Sequence, residues 1–597
     1  MVAVDGNNQN RMPRKISQRA ARLWDQSGKR ESQLATCSKI GLRWLICFAF
    51  IGLLVLLFIG RANAESPEDL EAKCKMLESS DFAGLVDAPT RVLSATSVKA
   101  GGNLPAYCEV TGYVVPNVGI KLGLPTHWNG KLMEMGCGGH CGMLDLVDAK
   151  YVSASCDVAL RKGYACIVSN MGHDGMMGDA LWGRNNLQAK VDWGFRATHV
   201  TAVAGKAIAE RYYAQRPNRA YFMGCSTGGR QALQEAQRFP RDFNGIVAGA
   251  PPVNLSTVYM TFAWGIRATH DRSGKPLLGN DELKLLTAAA AAKCDLDDGV
   301  KDGVIADPSH CAFDPAELAC KSDQARGCLT SEQIEAVKRV YAGPSTSGGT
   351  RLSLGGPLPG SEYPGWSVAY VGDHGKPAGY EVLATDGLRY LFFFPELDLA
   401  WKLSDFDFDR DSERLGVMEA LYDSSNPDLR QFKSAGGKMM IYQGMADISV
   451  LPRATMDYYE TVERTIGGRR ETQSFLRLFL LPGVGHCLGG DGASAVDYLS
   501  SLEAWVEEGR APEKLLSSHV KTDDLNLSDL DGFHKLVRRV EFPLNPAMID
   551  FSRPVYPYPT MARYTGHGDP RNASNFGPVQ SPSVPVAHGA RANFAAR

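Results

Sequence analysis

The segment Gly224-Cys225-Ser226-Thr227-Gly228 lies between an apolar run, Ala220–Met223, and an amphipathic stretch, Gly229–Arg238. The run predicts a buried strand and the stretch predicts a helix. A G-x-S-x-G pentapeptide in this position is typical of a nucleophile elbow, where glycines let the flanking chain pass close to a serine in strained backbone geometry. The pentapeptide alone fits an ordinary turn equally well, so its interpretation depends on the rest of the chain.

The chain around the pentapeptide alternates between strand and helix patterns. Ala165–Ser169 and Gly245–Ala250 are predicted as buried strands, and Ala197–Tyr213 as an amphipathic helix. This βαβ rhythm indicates a mostly parallel sheet covered by helices, because parallel strands need crossover connections. Together with the predicted elbow, it favours an α/β fold of the α/β-hydrolase type.

The rhythm stops at about Pro252 and returns with the strand patterns Lys438–Gln443 and Phe475–Leu480. The interval is rich in Gly, Pro, Asp and aromatic residues, with helical patterns at Asp281–Lys293 and Ser331–Tyr341, and we predict a large inserted lid domain. The proline-rich C-terminal end is expected to wrap the surface with little regular structure. The predicted boundaries are a signal peptide at 1–64, hydrolase domain at 65–251, lid at 252–430, hydrolase domain at 431–550 and tail at 551–597.

The N-terminal segment has the features of an export signal. Basic residues from Arg11 to Arg43 precede the apolar stretch Trp44–Ile59, and Ala62-Asn63-Ala64 has the small-x-small form of a signal-peptidase site. We expect cleavage after Ala64 and a secreted or periplasmic protein; the alternative is an uncleaved signal anchor, because the apolar stretch approaches the length that spans a bilayer. The formal net charge of −2 gives no strong field toward nucleic acid or a membrane surface, so neither is expected as a partner after signal removal.

Two of the 14 cysteines, Cys37 and Cys47, fall in the export segment and leave an even number for an oxidising compartment. Disulfides are therefore expected. Sequence proximity favours two pairs, Cys294 with Cys311 and Cys320 with Cys328. A further group of four cysteines allows three pairings and stays unassigned; its members are Cys137, Cys141, Cys156 and Cys166.

A serine hydroxyl is a weak nucleophile at neutral pH, so the predicted elbow requires a histidine base and an acid that orients it, in the chain order Ser, Asp, His. His486 lies in a loop directly after one predicted strand, and Asp447 lies in a loop after another. Such loops carry the catalytic groups of parallel sheets. Each residue alone fits a solvated loop, but together they predict Ser226 as nucleophile, His486 as general base and Asp447 as the orienting acid.

Cysteines flank two members of this predicted triad, since Cys225 precedes the serine and Cys487 follows the histidine. A Cys225–Cys487 disulfide would join nucleophile and base and would add about 2 to 4 kcal/mol to the free energy of unfolding. Two buried free thiols are the alternative. The predicted export favours the disulfide.

The run Gly224–Gln231 (Gly-Cys-Ser-Thr-Gly-Gly-Arg-Gln), with Glu235–Pro240 and Gly249–Pro251, closely resembles the tannase and feruloyl esterase family, which includes the mono(2-hydroxyethyl) terephthalate hydrolases. The family's Cys-Ser, Asp and His-Cys elements match Cys225-Ser226, Asp447 and His486-Cys487, and the resemblance covers residues from about 70 to about 577. It implies an α/β-hydrolase fold with a large lid and a small aromatic ester as substrate. The oligomeric state is left open.

The resemblance also implies an oxyanion hole, made by the backbone N–H of Thr227 and an N–H of the Gly-rich segment Gly136–Gly139, where we favour Gly138. Such donors stabilise the tetrahedral oxyanion. The lid is implied to recognise the acyl group, and its many aromatic residues could line a pocket for a planar ring. The substrate-binding candidates there are Arg389, Phe393 and Trp401. A Cys74–Cys108 disulfide is predicted as well.

The stretch Cys294–Val304 has dense carboxylates, which suit a hard cation with oxygen ligands. It does not have the spacing of an EF-hand, and a solvated acidic loop is the alternative. It does match the calcium loop in the lid of the tannase-like family. The resemblance therefore implies a structural Ca²⁺ held by the side chains of Asp295, Asp298 and Asp302 and by the backbone carbonyls of Val300 and Val304.

The prediction as a whole is an exported serine carboxylesterase that acts on esters of aromatic acids through an acyl-enzyme. Within the same fold, the alternative is an esterase for other small aryl esters, such as terephthalate monoesters. Two further alternatives are a non-catalytic exported protein that binds phenolic or carbohydrate ligands, and a calcium-dependent structural module.

Overall fold

A mixed sheet of nine strands forms the centre of the described part of the chain. Its order is β1-β2-β3-β5-β4-β6-β7-β8-β9, antiparallel from β1 to β5 and parallel for every pair from β5 to β9. The strands are β1 Thr90–Val98, β2 Tyr107–Val114, β3 Val118–Pro125, β4 Lys131–Met135, β5 Ala165–Ser169, β6 Arg219–Cys225, β7 Gly245–Gly249, β8 Lys438–Gly444 and β9 Leu476–Leu481.

This computed structural model describes residues 67–147, 155–321, 326–372, 376–525 and 530–581, and Pro67–Arg597 belongs to one compact unit. The predicted signal peptide, 1–64, lies outside the described residues. In the described part, no helix is both long and apolar enough to cross a membrane. The α-helices are α1 Pro67–Lys75, α2 Asp157–Arg161, α3 Leu187–Val191, α4 Ala197–Tyr213, α5 Thr227–Arg238, α6 Leu255–Thr269, α7 Asn280–Cys294, α8 Ser331–Ala342, α9 Gly379–Gly387, α10 Asp411–Arg414, α11 Gly416–Tyr422, α12 Arg430–Ser434, α13 Pro452–Ile466, α14 Arg469–Gln473, α15 Tyr498–Glu508 and α16 Leu530–Arg539.

Helices cover both faces of the parallel strands. In β7, Ile246 belongs to the same buried cluster as Leu233 of α5, whereas its neighbour Val247 belongs to the cluster of Leu502 and Trp505 of α15. Successive residues of a strand point to opposite faces, so β7 is apolar throughout and every one of its residues is buried. The α/β-hydrolase fold predicted from the βαβ rhythm is confirmed.

The chain between β7 and β8 contains helices α6 to α12 and has a buried apolar cluster of its own, which includes Phe262, Leu283, Val337 and Trp366. This segment is the one predicted as a lid at 252–430. Because the whole of Pro67–Arg597 forms a single compact unit, the division into domains remains a prediction.

The C-terminal end is more regular than its prolines suggest, and the prediction of little regular structure is wrong from residue 551 to residue 581. Strand β12 is the edge strand of a three-stranded sheet, where Pro554 lies opposite Leu516. A proline has no N–H to donate, so it is tolerated on an edge strand. The strands of the two small sheets are β10 Ala495–Val496, β11 Leu515–Val520, β12 Ile549–Val555, β13 Thr560–Tyr564 and β14 Phe576–Gln580.

Gly229, in the first turn of α5, allows that helix to lie directly on the end of β7. A Cβ atom on Gly229 would lie 2.2 Å from the carbonyl oxygen of Gly249. We expect Gly229→Ala to lower the free energy of unfolding by about 1 to 3 kcal/mol, the usual cost of overpacking a tight contact, as measured by urea denaturation. Gly84→Ala is the control, because its Cβ would have nothing within 4 Å. Equal stability of the two variants would contradict this account.

Candidate active site

Ser226 follows the last residue of β6 and precedes α5, the position of an elbow nucleophile. Its backbone has φ 62° and ψ −123°, a region that a residue with a side chain rarely adopts, and its N–H donates to the carbonyl of Gly249 at 3.0 Å. The backbones of the two flanking glycines pass close to each other, since a Cβ on Gly224 would lie 2.7 Å from the Cα of Gly228. The pentapeptide is therefore an elbow in which the first glycine position excludes a side chain and the last leaves little room for one, since a Cβ on Gly228 would lie 3.2 Å from the carbonyl oxygen of Cys137.

Asp447 lies in the loop after β8 and its side chain is fully buried. Its Oδ1 accepts from the backbone N–H groups of Ser449 and Val450 at 2.8 and 3.0 Å, and its Oδ2 accepts from the Gln443 amide at 3.1 Å. These bonds compensate a carboxylate in a buried position and fix its orientation. The remaining partner of Oδ2 is His486.

His486 lies in the loop after β9, with about a quarter of its side chain exposed. Its Nδ1 is 2.9 Å from Oδ2 of Asp447. The two loops can approach because Gly444 ends β8: a Cβ there would lie 2.3 Å from the carbonyl oxygen of Gly485. The arrangement directs Nδ1 to the carboxylate and leaves Nε2 free to act as a base.

The disulfide between Cys225 and Cys487 joins the elbow to the histidine loop, with Cα atoms 5.9 Å apart across 262 residues of sequence. Ser226 and His486 are each the direct chain neighbour of one of these cysteines. Two of the three residues predicted as a triad, His486 and Asp447, are thus in hydrogen-bond contact, and the disulfide holds the chain neighbours of Ser226 and His486 together at the same edge of the sheet.

The Gly-rich loop between β4 and residue 142 packs on the start of α5. The hydroxyl of Thr227 donates to the carbonyl of Gly139 at 2.6 Å, and the N–H of Cys137 donates to Oε1 of Gln231 at 3.1 Å. The N–H of Gly138, the predicted oxyanion donor, donates to no acceptor within the described residues. Thr227 and Gly138, both proposed for the oxyanion hole, are therefore brought to neighbouring segments.

Six disulfides are present in the described residues, and they include the four pairs expected from the sequence. The unassigned group pairs as Cys137 with Cys141 and Cys156 with Cys166, with Cα separations of 5.5 and 5.8 Å. The expected pairs are Cys225–Cys487, Cys74–Cys108, Cys294–Cys311 and Cys320–Cys328.

The three substrate-binding candidates of the predicted lid contact one another. A guanidinium N–H of Arg389 donates to the backbone oxygen of Trp401, whose ring centroid lies 6.2 Å from that of Phe393. Phe393 is completely buried, with Arg414 stacked 4.6 Å from its ring centre. Phe393 therefore presents no surface to a substrate in this structure, whereas Arg389 and Trp401 are partly exposed.

The acidic loop after α7 folds around its own carboxylates. Asp295 accepts from the N–H groups of Asp302 and Gly303, and Asp298 accepts from the N–H of Val300 at 2.9 Å. Burial raises the pKa of Asp298 to about 6, and the neighbouring carboxylates of Asp302 and Asp295 add to the rise. Carboxylate oxygens are the ligand type that a hard cation such as Ca²⁺ prefers.

A second group of ligand-type atoms lies behind α5, where atoms of His199, Glu235 and Asp242 all lie within 4.8 Å of one another. His199 Nδ1 is 2.5 Å from Asp242 Oδ2, and the Lys206 ammonium donates to the backbone oxygen of Asp242 at 2.6 Å. Burial raises the pKa of Glu235 well above its usual range. Within this group, both His199 and Lys206 hydrogen-bond to Asp242, which compensates the burial of that carboxylate.

Sequence reasoning did not find the buried contact between His140 and Tyr259. His140 Nε2 is 2.5 Å from the hydroxyl of Tyr259, which joins the Gly-rich loop to α6. Burial lowers the pKa of His140 to about 3, so its imidazole is neutral at ordinary pH. The one local signal was the position of His140 beside Gly138 and Gly139.

A serine elbow at the carboxyl end of a parallel strand, followed along the chain by an aspartate and a histidine after later strands, is the arrangement of α/β-hydrolases. Solved structures agree with this class. The feruloyl esterase B from Aspergillus oryzae superposes with a TM-score of 0.73 at 26% identity, covering 85% of this chain and all of that one.

The chain belongs to the tannase and feruloyl esterase family, whose model matches residues 102–579. It is similar to an uncharacterized esterase of Xanthomonas campestris pv. campestris, with 31% identity covering 85% of this chain and 90% of the relative. It is also 31% identical to the mono(2-hydroxyethyl) terephthalate hydrolase of Piscinibacter sakaiensis, covering 81% of this chain and 86% of the relative. The predicted family and the carboxylesterase class are confirmed.

The disulfide beside the triad residues should affect both stability and ester hydrolysis. We expect the double variant Cys225→Ser, Cys487→Ser to lose about 2 to 4 kcal/mol in the free energy of unfolding, because a long loop of the unfolded chain is no longer closed. We also expect a lower kcat for a chromogenic aryl ester, because the elbow and the histidine loop lose their covalent link. The control is Cys320→Ser, Cys328→Ser, which opens a loop of 8 residues. If kcat falls equally in both double variants, the link has no special role in the site.

Proposed function

We propose that the protein hydrolyses carboxylic esters through a Ser226, His486, Asp447 triad and an acyl-enzyme. The observation that carries the proposal is the 2.9 Å contact between His486 Nδ1 and Asp447 Oδ2, in a loop that a disulfide ties to the residue before Ser226. The contact fixes the tautomer in which Nε2 of His486 can accept the serine proton.

In the first step, Oγ of Ser226 attacks the ester carbonyl while His486 Nε2 takes the hydroxyl proton. The tetrahedral intermediate collapses, and the proton passes from His486 to the departing alcohol. In the second step, a water molecule loses a proton to the same imidazole and attacks the acyl-enzyme; the second tetrahedral intermediate collapses, the acid departs, and His486 returns the proton to Oγ of Ser226. The N–H groups of Thr227 and Gly138 stabilise the oxyanion in both steps.

The acid part of the substrate is proposed to be aromatic, as in ferulate or gallate esters. Support comes from relatives whose names give feruloyl esterase or terephthalate monoester activity, and from the aromatic residues of the segment between β7 and β8. Terephthalate monoesters are the second candidate, favoured by the similarity to the Piscinibacter sakaiensis hydrolase. The six disulfides support export to an oxidising compartment.

Two substitutions test the triad with methyl ferulate, methyl gallate and mono(2-hydroxyethyl) terephthalate as substrates. Ser226→Ala should lower kcat on the order of 10⁶-fold because the nucleophile is lost, and Asp447→Asn on the order of 10⁴-fold because histidine takes the wrong tautomer. A fluorophosphonate probe should label the wild type and not Ser226→Ala. Asp87→Asn, at a carboxylate that is 70% exposed, is the control and should keep wild-type rates. Full turnover by Ser226→Ala would eliminate the mechanism, and an unlabelled wild type would favour a ligand-binding protein.

We propose that Asp295, Asp298 and Asp302, with the carbonyls of Val300 and Val304, hold a structural Ca²⁺. The ion would neutralise the carboxylates of this loop, of which Asp302 is also paired with Arg553 at 2.5 Å. It takes no part in the hydrolysis.

Chelation tests this ion. Excess EGTA should lower the Tm of the wild type, because an ion bound only by the folded state adds about 2.7 kcal/mol at a concentration of 100 times its Kd. Asp298→Asn should have a lower Tm that no longer responds to EGTA, whereas Asp297→Asn, an exposed neighbour with no proposed ligand role, should respond as the wild type does. A wild-type Tm that EGTA leaves unchanged would exclude the ion.

A further inference from the structure

The Gly-rich loop that carries the proposed oxyanion donor, Gly136–Gly142, is closed by its own disulfide. Cys137 and Cys141 are only 4 residues apart, with Cα atoms 5.5 Å apart. Between them lie Gly138, Gly139 and His140. What this bond does for the protein follows from how the loop is placed, and the inference rests on the proposed hydrolytic function.

The loop is wedged between the elbow helix and a second backbone segment. A Cβ on Gly136 would lie 2.8 Å from the Cα of Gly228, on the elbow side. A Cβ on Gly139 would lie 2.4 Å from the carbonyl oxygen of Met177, and one on Gly142 would lie 2.7 Å from the N of Gly175. Because a Cβ at each of these positions would collide with backbone atoms, only glycine fits there. The loop therefore consists largely of glycines, which restrict the backbone conformation less than other residues do.

Most polar backbone groups of the loop are already bonded. The N–H of Gly136 donates to Met223 at 2.8 Å and that of His140 donates to Met177 at 2.8 Å. The carbonyl of Gly139 accepts from the Thr227 hydroxyl, as described above. Among the described residues, the N–H groups of Gly138, Gly139 and Gly142 donate to no protein acceptor, and of these Gly138 and Gly139 lie between the two cysteines.

Two consecutive glycines lie where the proposed oxyanion donor must be held in one position. Gly138-Gly139 has many backbone conformations, and an oxyanion donor is effective only where its N–H is held in place before the reaction. Gly139 has φ +56° and Cys141 has φ +65°, so the loop holds a conformation that its sequence does not impose by itself. A covalent closure across these residues removes most of the alternatives.

We propose that the Cys137–Cys141 disulfide positions the oxyanion hole, by holding the N–H of Gly138 beside Ser226, and that these two cysteines are positioning residues of the hydrolysis. The bond closes so short a loop that it restricts the unfolded chain far less than Cys225–Cys487 does, across 262 residues. Its main effect is therefore on the site.

The test compares two short disulfides that lie in the same half of the chain. The double variant Cys137→Ser, Cys141→Ser opens the loop, and Cys156→Ser, Cys166→Ser opens a bond of 10-residue separation between α2 and β5 as the control. For each, kcat and KM are measured with a chromogenic aryl ester. The affinity for an aryl boronic acid, which forms a tetrahedral adduct with an activated serine, is measured in parallel.

We expect the loop variant to lose at least tenfold in kcat with KM changed less than twofold, and to bind the boronic acid weaker by the same factor. Such a split follows because oxyanion donors act on the tetrahedral state and not on the bound ester. The control should keep the wild-type kcat. An unchanged kcat in the loop variant, or a raised KM with unchanged kcat, would overturn the proposal.

If the loop variant does not fold, the wild type provides a second measurement. Graded reduction with a phosphine, with each opened disulfide identified by mass spectrometry, should lower kcat in proportion to the opened Cys137–Cys141 bond, and reoxidation should restore it. A kcat that stays unchanged while the Cys137–Cys141 bond is opened, and falls only when another bond such as Cys225–Cys487 opens, would overturn the proposal. If the wild type is active and the loop variant has the same kcat, only the role of the Cys137–Cys141 bond is excluded. If the wild type neither hydrolyses esters nor binds the boronic acid, the proposed function is excluded as well.

Discussion

Close approach of backbone to backbone around Ser226 is the constraint on which the rest of the site depends. Gly228 lies against Gly224 on one side and against the loop of Gly136 on the other, and Gly229 lies against the end of β7. These contacts hold the serine at φ 62°, where its hydroxyl is presented above the sheet. They also hold the N-terminus of α5 against the Gly-rich loop, so the same packing positions the proposed nucleophile and its two proposed oxyanion donors.

Strain of this kind persists only where the surroundings determine the backbone. Here two disulfides contribute to this restriction: Cys225–Cys487 links the residue before the serine to the residue after the histidine, and Cys137–Cys141 closes the Gly-rich loop. The buried Asp447 is held differently, by three hydrogen bonds besides that of His486. The proposed catalytic residues Ser226, Asp447 and His486 are thus held in place by their surroundings, although none of these three lies within a helix or strand.

Structural elements could be predicted accurately from the sequence where a single local pattern determines them. The strand Ala165–Ser169 and the helix Ala197–Tyr213 were predicted with their observed bounds, because apolar runs and helical periodicity are local. The order Ser, Asp, His and the flanking cysteines likewise indicated which residues meet. The pairing of Cys137 with Cys141 depended on the fold of a glycine loop, and the burial of Phe393 and the edge position of Pro554 depended on tertiary partners, so composition and spacing could not give them.

The segment predicted as a lid forms hydrogen bonds with the loop that follows Asp447 and with the Gly-rich loop. Tyr370 donates to the carbonyl of Ile448 at 2.8 Å, and Tyr380 bonds the hydroxyl of Ser449, the two residues directly after Asp447. At the other side of the site, Tyr259 bonds His140 of the Gly-rich loop. The loop after Asp447 and the loop of the proposed oxyanion donor therefore both hydrogen-bond to the segment between β7 and β8. In the proposed mechanism, a displacement of this segment would therefore be transmitted to Asp447 and to the Gly-rich loop through the hydrogen bonds of these tyrosines.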